Sequence, residues 1–251
     1  MCNLYSIATS AAEIARATRA DVGSFHNQPP NTGVYPDNNA PVIVHDGVGG
    51  RRLDYLRWGM PSSSQAIFQA ASKRADRLRA KGKAFDFNEL LKNEPDRGTT
   101  NVRNTTSKAT GKVNAHWGRW LGPANRCLVP FTSFAEPDQD HEGTRQNIWF
   151  ALDESRPMAY FAGTWTPHAC VRMISNGWEE LSVFAFLTTD SAEPVKTYHA
   201  KAMPVILTTE AECDAWMSDK PWSEVAHLQR PLPDCLKIVN RRVKQDEAAP
   251  A

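Results

Sequence analysis

Asn125-Arg126-Cys127-Leu128-Val129-Pro130-Phe131-Thr132-Ser133-Phe134-Ala135-Glu136-Pro137-Asp138 is the stretch on which the fold turns. Its first half, 126–131, is short, β-branched or aromatic and reads as a buried strand. Glu136 falls where that apolar run emerges into the Pro137-Asp138 turn. Comparable runs recur at 148–152, 158–165, 181–188, 204–208 and 236–243. Upstream, Pro41-Val42-Ile43-Val44 and Leu53-Asp54-Tyr55-Leu56-Arg57-Trp58 flank Gly47-Val48-Gly49-Gly50, which predicts a hairpin. Strands outnumber helices. Ser10-Ala11-Ala12-Glu13 matches a capping box and opens a helix to about Ala20; Thr209-Glu210-Ala211-Glu212 opens a second through Trp216 and Met217. A third helix is expected over 65–83, and 21–41 reads as loop. The expected fold is α+β: one domain over 1–244 with a largely antiparallel β core, barrel-like or a sandwich, peripheral helices, and a disordered tail at 245–251.

Composition narrows the class. A chain of 251 residues that is 41% hydrophobic can bury a sizeable core. Lys plus Arg number 29 against 28 Asp plus Glu, so any polyanionic partner must meet a local basic face. The densest basic run is Lys73, Arg74, Arg77, Arg79, Lys81 and Lys83, which on a helix is more often a solvated face than a ligand site. Five widely spaced cysteines without a C-x-x-C pair suggest neither a disulfide framework nor a zinc site. The expectation is a cytoplasmic monomer without cofactor, metal or membrane partner.

Cys2 carries distinctive chemistry. Trimming of Met1 before a small side chain leaves an α-amine and a thiol on adjacent carbons. An aldehyde condenses with the amine to an imine, and the thiol then closes a five-membered thiazolidine. At pH 7 an α-amine is roughly 10 to 20% neutral, against well under ~0.1% for an ordinary lysine. The terminus is therefore the more available nucleophile by about two orders of magnitude. The plain alternative is a small apolar residue that starts a strand.

Other polar residues stand in strand-like surroundings. Glu136 is either a turn acid or a proton shuttle with a raised pKa. His199 lies beside the apolar run from Met203, and a lone histidine in such a place is usually structural. Asn101 and Arg103 alternate around Val102, so both side chains share one face of an extended segment.

Taken together, Met1-Cys2, Asn38-Asn39-Ala40-Pro41, Arg57-Trp58-Gly59-Met60-Pro61, Asn101-Val102-Arg103, Asn125 through Glu136, Phe161-Ala162-Gly163-Thr164-Trp165, Thr188-Thr189-Asp190 and His199 through Leu207 form an ordered set. That set resembles the SOS-response-associated peptidase (SRAP) family. The resemblance implies an abasic-site sensor that acts on single-stranded DNA, crosslinks the lesion through Cys2, and has lyase-like and autoprocessing activity. It assigns Cys2 as nucleophile, Asn101 as a positioning group, Glu136 as proton carrier and His199 as an aid to ring opening. Arg103, Trp58 and Lys201 would contact DNA. This chain has Asn3-Leu4 where many relatives carry Gly-Arg. Two other classes fit the residues: an N-terminal-nucleophile cysteine hydrolase, and a single-strand-binding module that ignores Cys2.

Overall fold

The computed structural model describes residues 2–22, 29–138, 146–232, 234–241, 243–244 and 246. In chain order its elements begin with β1 (Tyr5–Ile7), α1 (Ala11–Thr18), β2 (Ala20–Asp21), β3 (Asn31–Val34), β4 (Asn39–His45), β5 (Arg51–Trp58), α2 (Ser64–Ala80), α3 (Phe87–Lys92) and β6 (Asn101–Val102). Then come β7 (Arg126–Phe131), β8 (Ser133–Pro137), β9 (Asn147–Ala151), β10 (Ala159–Val171), β11 (Trp178–Thr189) and α4 (Val195–Tyr198). The chain continues through β12 (Met203–Pro204), β13 (Ile206–Leu207), α5 (Glu210–Trp216), α6 (Trp222–Val225) and β14 (Lys237–Arg241).

Strands β5, β4, β7, β10 and β11 pair in that order, antiparallel throughout. β11 then returns to β5 in parallel through Val183↔Arg57 and Phe184↔Trp58, which closes a five-stranded barrel. Side chains fill the interior. Phe131 stacks on Phe161 at 3.9 Å, while Tyr5, Trp58 and Phe186 pack around them edge-on or tilted. Gly163 on β10 is required there, since a Cβ would come within 2.7 Å of the Cys127 Sγ. A second, antiparallel sheet runs β14-β9-β8-β1-β3.

Thr132 is the corner between barrel and sheet. Its N–H donates to the Ser6 carbonyl at 2.8 Å, and its hydroxyl accepts from the Ala8 N–H at 3.0 Å. These bonds satisfy the backbone while the chain leaves β7 and enters β8. The expectation at Glu136 is corrected accordingly. That residue is not at a strand exit but inside β8, paired with Ile148 and fully buried.

Local signals translate directly. Both hydrogen bonds of the Ser10/Glu13 capping box form, and α1 ends in a left-handed Arg19. The hairpin is present with Ile43 opposite Leu53. The loop expected over 21–41 contains β3, while 23–28 lies outside the described residues. Within the expected disordered tail, Asp246 is described and is buried: Arg156 donates to it at 2.7 and 2.9 Å, and Ser133 at 2.5 Å. Order therefore extends beyond 244 at that residue; 245 and 247–251 lie outside the description. Among the described residues, no helix is long and apolar enough to cross a membrane.

Candidate functional site

Four residues distant in sequence meet where the second sheet abuts the barrel. Cys2 precedes β1, Glu136 lies on the neighbouring β8, Asn101 opens β6 on the edge of β11, and His199 follows α4. The Asn101 side-chain amide donates to the Cys2 carbonyl at 2.9 Å and to the Thr100 hydroxyl at 2.8 Å. That hydroxyl donates onward to Asn3 Oδ1 at 3.1 Å. The Cys2 thiol donates weakly to the Leu4 carbonyl at 3.5 Å. Cys2 is 1% exposed.

Burial sets the protonation of this cluster. It raises Glu136 from 4.5 to about 7, so the carboxyl is poised between acid and base at neutral pH. It also pushes the Cys2 thiol well above its ordinary range, and the nearby Glu136 charge adds to the shift. His199 moves the other way, down to about 4, because burial and neighbouring positive charge, Lys201 and Arg103 included, disfavour imidazolium. Its Nδ1 lies 3.8 Å from Glu136 Oε2. At neutral pH the site thus holds a neutral thiol, a neutral imidazole and a carboxyl near its midpoint.

The DNA-contact expectations separate. Arg103 directly follows β6 and pairs with Asp190 at 3.2 Å, beside the exposed Lys108. Lys201 is exposed two residues beyond His199. Trp58 is a correction: it is fully buried against Tyr5, Phe184 and Phe186, with no ring face left for a base. Its indole N–H donates to the Thr100 carbonyl at 2.9 Å, so it braces the segment that carries Asn101. The basic run on and beyond α2 is mainly a solvated face: Arg74 pairs with Glu94 and Arg79 with Asp76.

Sequence reading missed the support behind Asn101. Met60 and Thr99 exchange backbone hydrogen bonds of 3.0 and 2.7 Å, which fixes the approach to Thr100. Asp96 anchors this segment by accepting from the Ser62 and Gly98 N–H groups and from His168 at 3.0 Å. Arg172, buried, donates to the Asp96 and Gly59 carbonyls. Gly98 has φ +75°, and a Cβ there would come within 2.4 Å of Arg172 and 2.7 Å of the Gly59 oxygen. The only local hint is the glycine itself, because Asp96 and Arg172 are far apart in sequence.

A match to the family described as SOS response associated peptidase (SRAP) spans residues 1–246. Among solved structures, a protein from Bacteroides thetaiotaomicron superimposes with a TM-score of 0.63 at 18% identity, covering 94% of this chain and 90% of that one. A Bordetella bronchiseptica protein gives 0.60 at 19%, covering 94% and 97%. A phage-related protein from the same organism gives 0.60 at 14%, covering 94% and 92%. At such identities the likeness is one of fold. No curated protein matches the chain. Matched by the family model over residues 1–246, the chain belongs to the SOS response associated peptidase family, a family of the DNA-damage response.

Proposed function

We propose that this protein captures abasic sites in single-stranded DNA as a covalent thiazolidine on Cys2, shielding the lesion from strand breakage. The observation that carries the reading is the convergence of Cys2, Asn101, Glu136 and His199 from four separate segments around one amino-terminal residue.

Removal of Met1 converts the Cys2 amide nitrogen to an α-amine. Asn101 holds the adjoining carbonyl, so the amine and thiol are presented in a fixed orientation. Neutral His199 accepts the anomeric hydroxyl proton of the cyclic sugar as the bond from that carbon to the ring oxygen breaks, and returns it to the ring oxygen, which leaves an aldehyde and a free hydroxyl. The amine attacks the aldehyde carbon and forms a C–N bond; one amine proton moves to the oxygen, Glu136 in its acid form supplies a second, and the oxygen leaves as water from a protonated imine. The thiol then adds across the C=N bond. Sulfur bonds to the former aldehyde carbon, the C=N electron pair returns to nitrogen, the thiol proton restores the acid form of Glu136, and the ring is complete.

The raised thiol pKa supports this order, with the amine acting first and the sulfur following as a neutral thiol. A cysteine hydrolase works through a thiolate, which the buried Glu136-facing environment disfavours. Denaturing electrophoresis tests the reading. Trimmed protein and an abasic oligonucleotide should give a heat-resistant band. A chain extended ahead of Cys2 should give none, having lost the amine while keeping the thiol, and Cys2→Ala should give only a reducible imine. A stable adduct from either variant would refute the thiazolidine.

A further inference from the structure

β6 and β11 run parallel, pairing Asn101 with Phe186 and Val102 with Leu187. Arg103 directly follows the end of β6, and Asp190 directly follows the end of β11. This parallel register sets a carboxylate against the cation two residues from the Cys2-holding asparagine. One Asp190 oxygen accepts from Arg103 at 3.2 Å, and the other accepts from Lys108 at 2.6 Å. The three groups rim a small cavity of about 130 Å³. Asp190 stays ionised, because the Lys108 bond, then that from Arg103, lowers its pKa.

A carboxylate that bridges a guanidinium and an ammonium occupies the place a phosphate oxygen pair would take. Resting on the DNA reading above, we infer that Asp190 is an internal competitor for the phosphate backbone, and that it sets how weakly the protein holds undamaged single strands. Two cations against one carboxylate leave a net charge of +1 at this spot. The pairs are largely exposed, with Asp190 at 62% and Lys108 at 84%, so they are easily broken. A strand can displace the carboxylate, but the carboxylate stays close and repels it.

This bears on search rather than on chemistry. Once the ring has closed, affinity for phosphate no longer decides whether DNA stays bound. Before closure, every undamaged stretch competes for the protein, and tight binding there lengthens each fruitless encounter. Affinity differences within one interface appear mostly in the off-rate. A built-in carboxylate shortens those encounters without touching the nucleophile.

The test compares trimmed wild-type protein with Asp190→Asn on undamaged single-stranded oligonucleotide across a salt series. Asp190 is exposed, and Asn keeps its shape. Asp190→Asn should bind about two- to five-fold tighter at low salt, the scale of an exposed charge contact. Its log K against log salt should steepen by about 0.7, one phosphate contact's worth. With an excess of undamaged strand present, it should capture an abasic oligonucleotide more slowly than wild type. Equal or weaker binding by Asp190→Asn would overturn the inference and mark Asp190 as a prop for Arg103. The DNA reading fails separately, if wild-type protein neither binds single strands nor forms the adduct.

Discussion

Glu136 is fully buried, and that burial is the main influence on its ionisation. Below about pH 4.5 both the folded and the unfolded chain keep its proton. As pH rises toward its folded pKa of about 7, the unfolded chain ionises first, so stability is lost across that interval, by about 3 kcal/mol. Glu136→Gln cannot ionise. It should match wild type in urea unfolding near pH 4 and exceed it by up to about 3 kcal/mol at pH 8. The same substitution should slow capture by roughly 10²- to 10⁴-fold in single-turnover assays. A more stable and less active variant is the mark of a residue kept for chemistry. Trp58 gives the contrasting case. Trp58→Phe removes the indole bond to Thr100, and a destabilisation of about 1–3 kcal/mol with slower capture is expected. Its affinity for undamaged single strands should be unchanged; a clear loss would restore Trp58 as a contact to bases. Sequence alone could not separate these roles, because an aromatic residue in a strand reads alike whether it faces a core or a ligand.

Between residue and molecule, the segment from Asp96 to Asn101 behaves as one latched element. Burial alone would raise the Asp96 pKa, but donors from His168, Ser62 and Gly98 outweigh it and hold the carboxylate at about 2. The Asp96 bond in turn raises His168 to about 9. The latch is fully formed above the ordinary carboxylate value of 3.8 and below the ordinary imidazole value of 6.5. It is lost as pH falls through about 2 or rises through about 9. Asp96→Ala should lower the unfolding free energy by about 2–3 kcal/mol in urea at pH 6, leaving buried donors unanswered. Capture should slow as well, since Thr100 and Asn101 lose their anchor; a variant with normal capture would uncouple latch and site. Elements defined by local chemistry were legible, as with the capping box of α1 and the Gly-rich hairpin of β4 and β5. β10 and β11 were underestimated because their outer halves, where Pro167 faces Ser182 and His168 faces Leu181, carry no unbroken apolar run. The single strand expected over 204–208 is split into β12 and β13, because Val205 bridges both neighbours. Its N–H donates to Leu187, and its carbonyl accepts from Ala162.

For the molecule as a whole, encounter with DNA should depend on a local basic face rather than on net charge. Arg103→Ala should flatten the salt dependence of single-strand binding by about 0.7 in log–log slope, while leaving the completed adduct insensitive to salt. An unchanged slope would move the DNA path away from Arg103. Capture should be faster in single strands than in continuous duplex, where stacking holds the lesion on both sides. The α+β class was legible in the sequence, and Cys2, Asn101, Glu136 and His199, which the fold brings together, stood out there as candidates, with roles implied only by the ordered landmarks. Barrel closure was not legible, because the parallel pairing of Arg57 with Val183 leaves no trace in either local pattern. Asp190 appeared only as a landmark, since its partners Arg103 and Lys108 lie far away in sequence. One further consequence lies in where β1 sits. It is hydrogen-bonded on both sides, with Tyr5 opposite Val34 on one flank and Phe134 on the other. Under the proposed capture at Cys2, a machine dragging on the joined DNA would pull on an interior strand. Two ladders would have to shear together before that strand could slide out, so such a join would be as strong mechanically as the sheet.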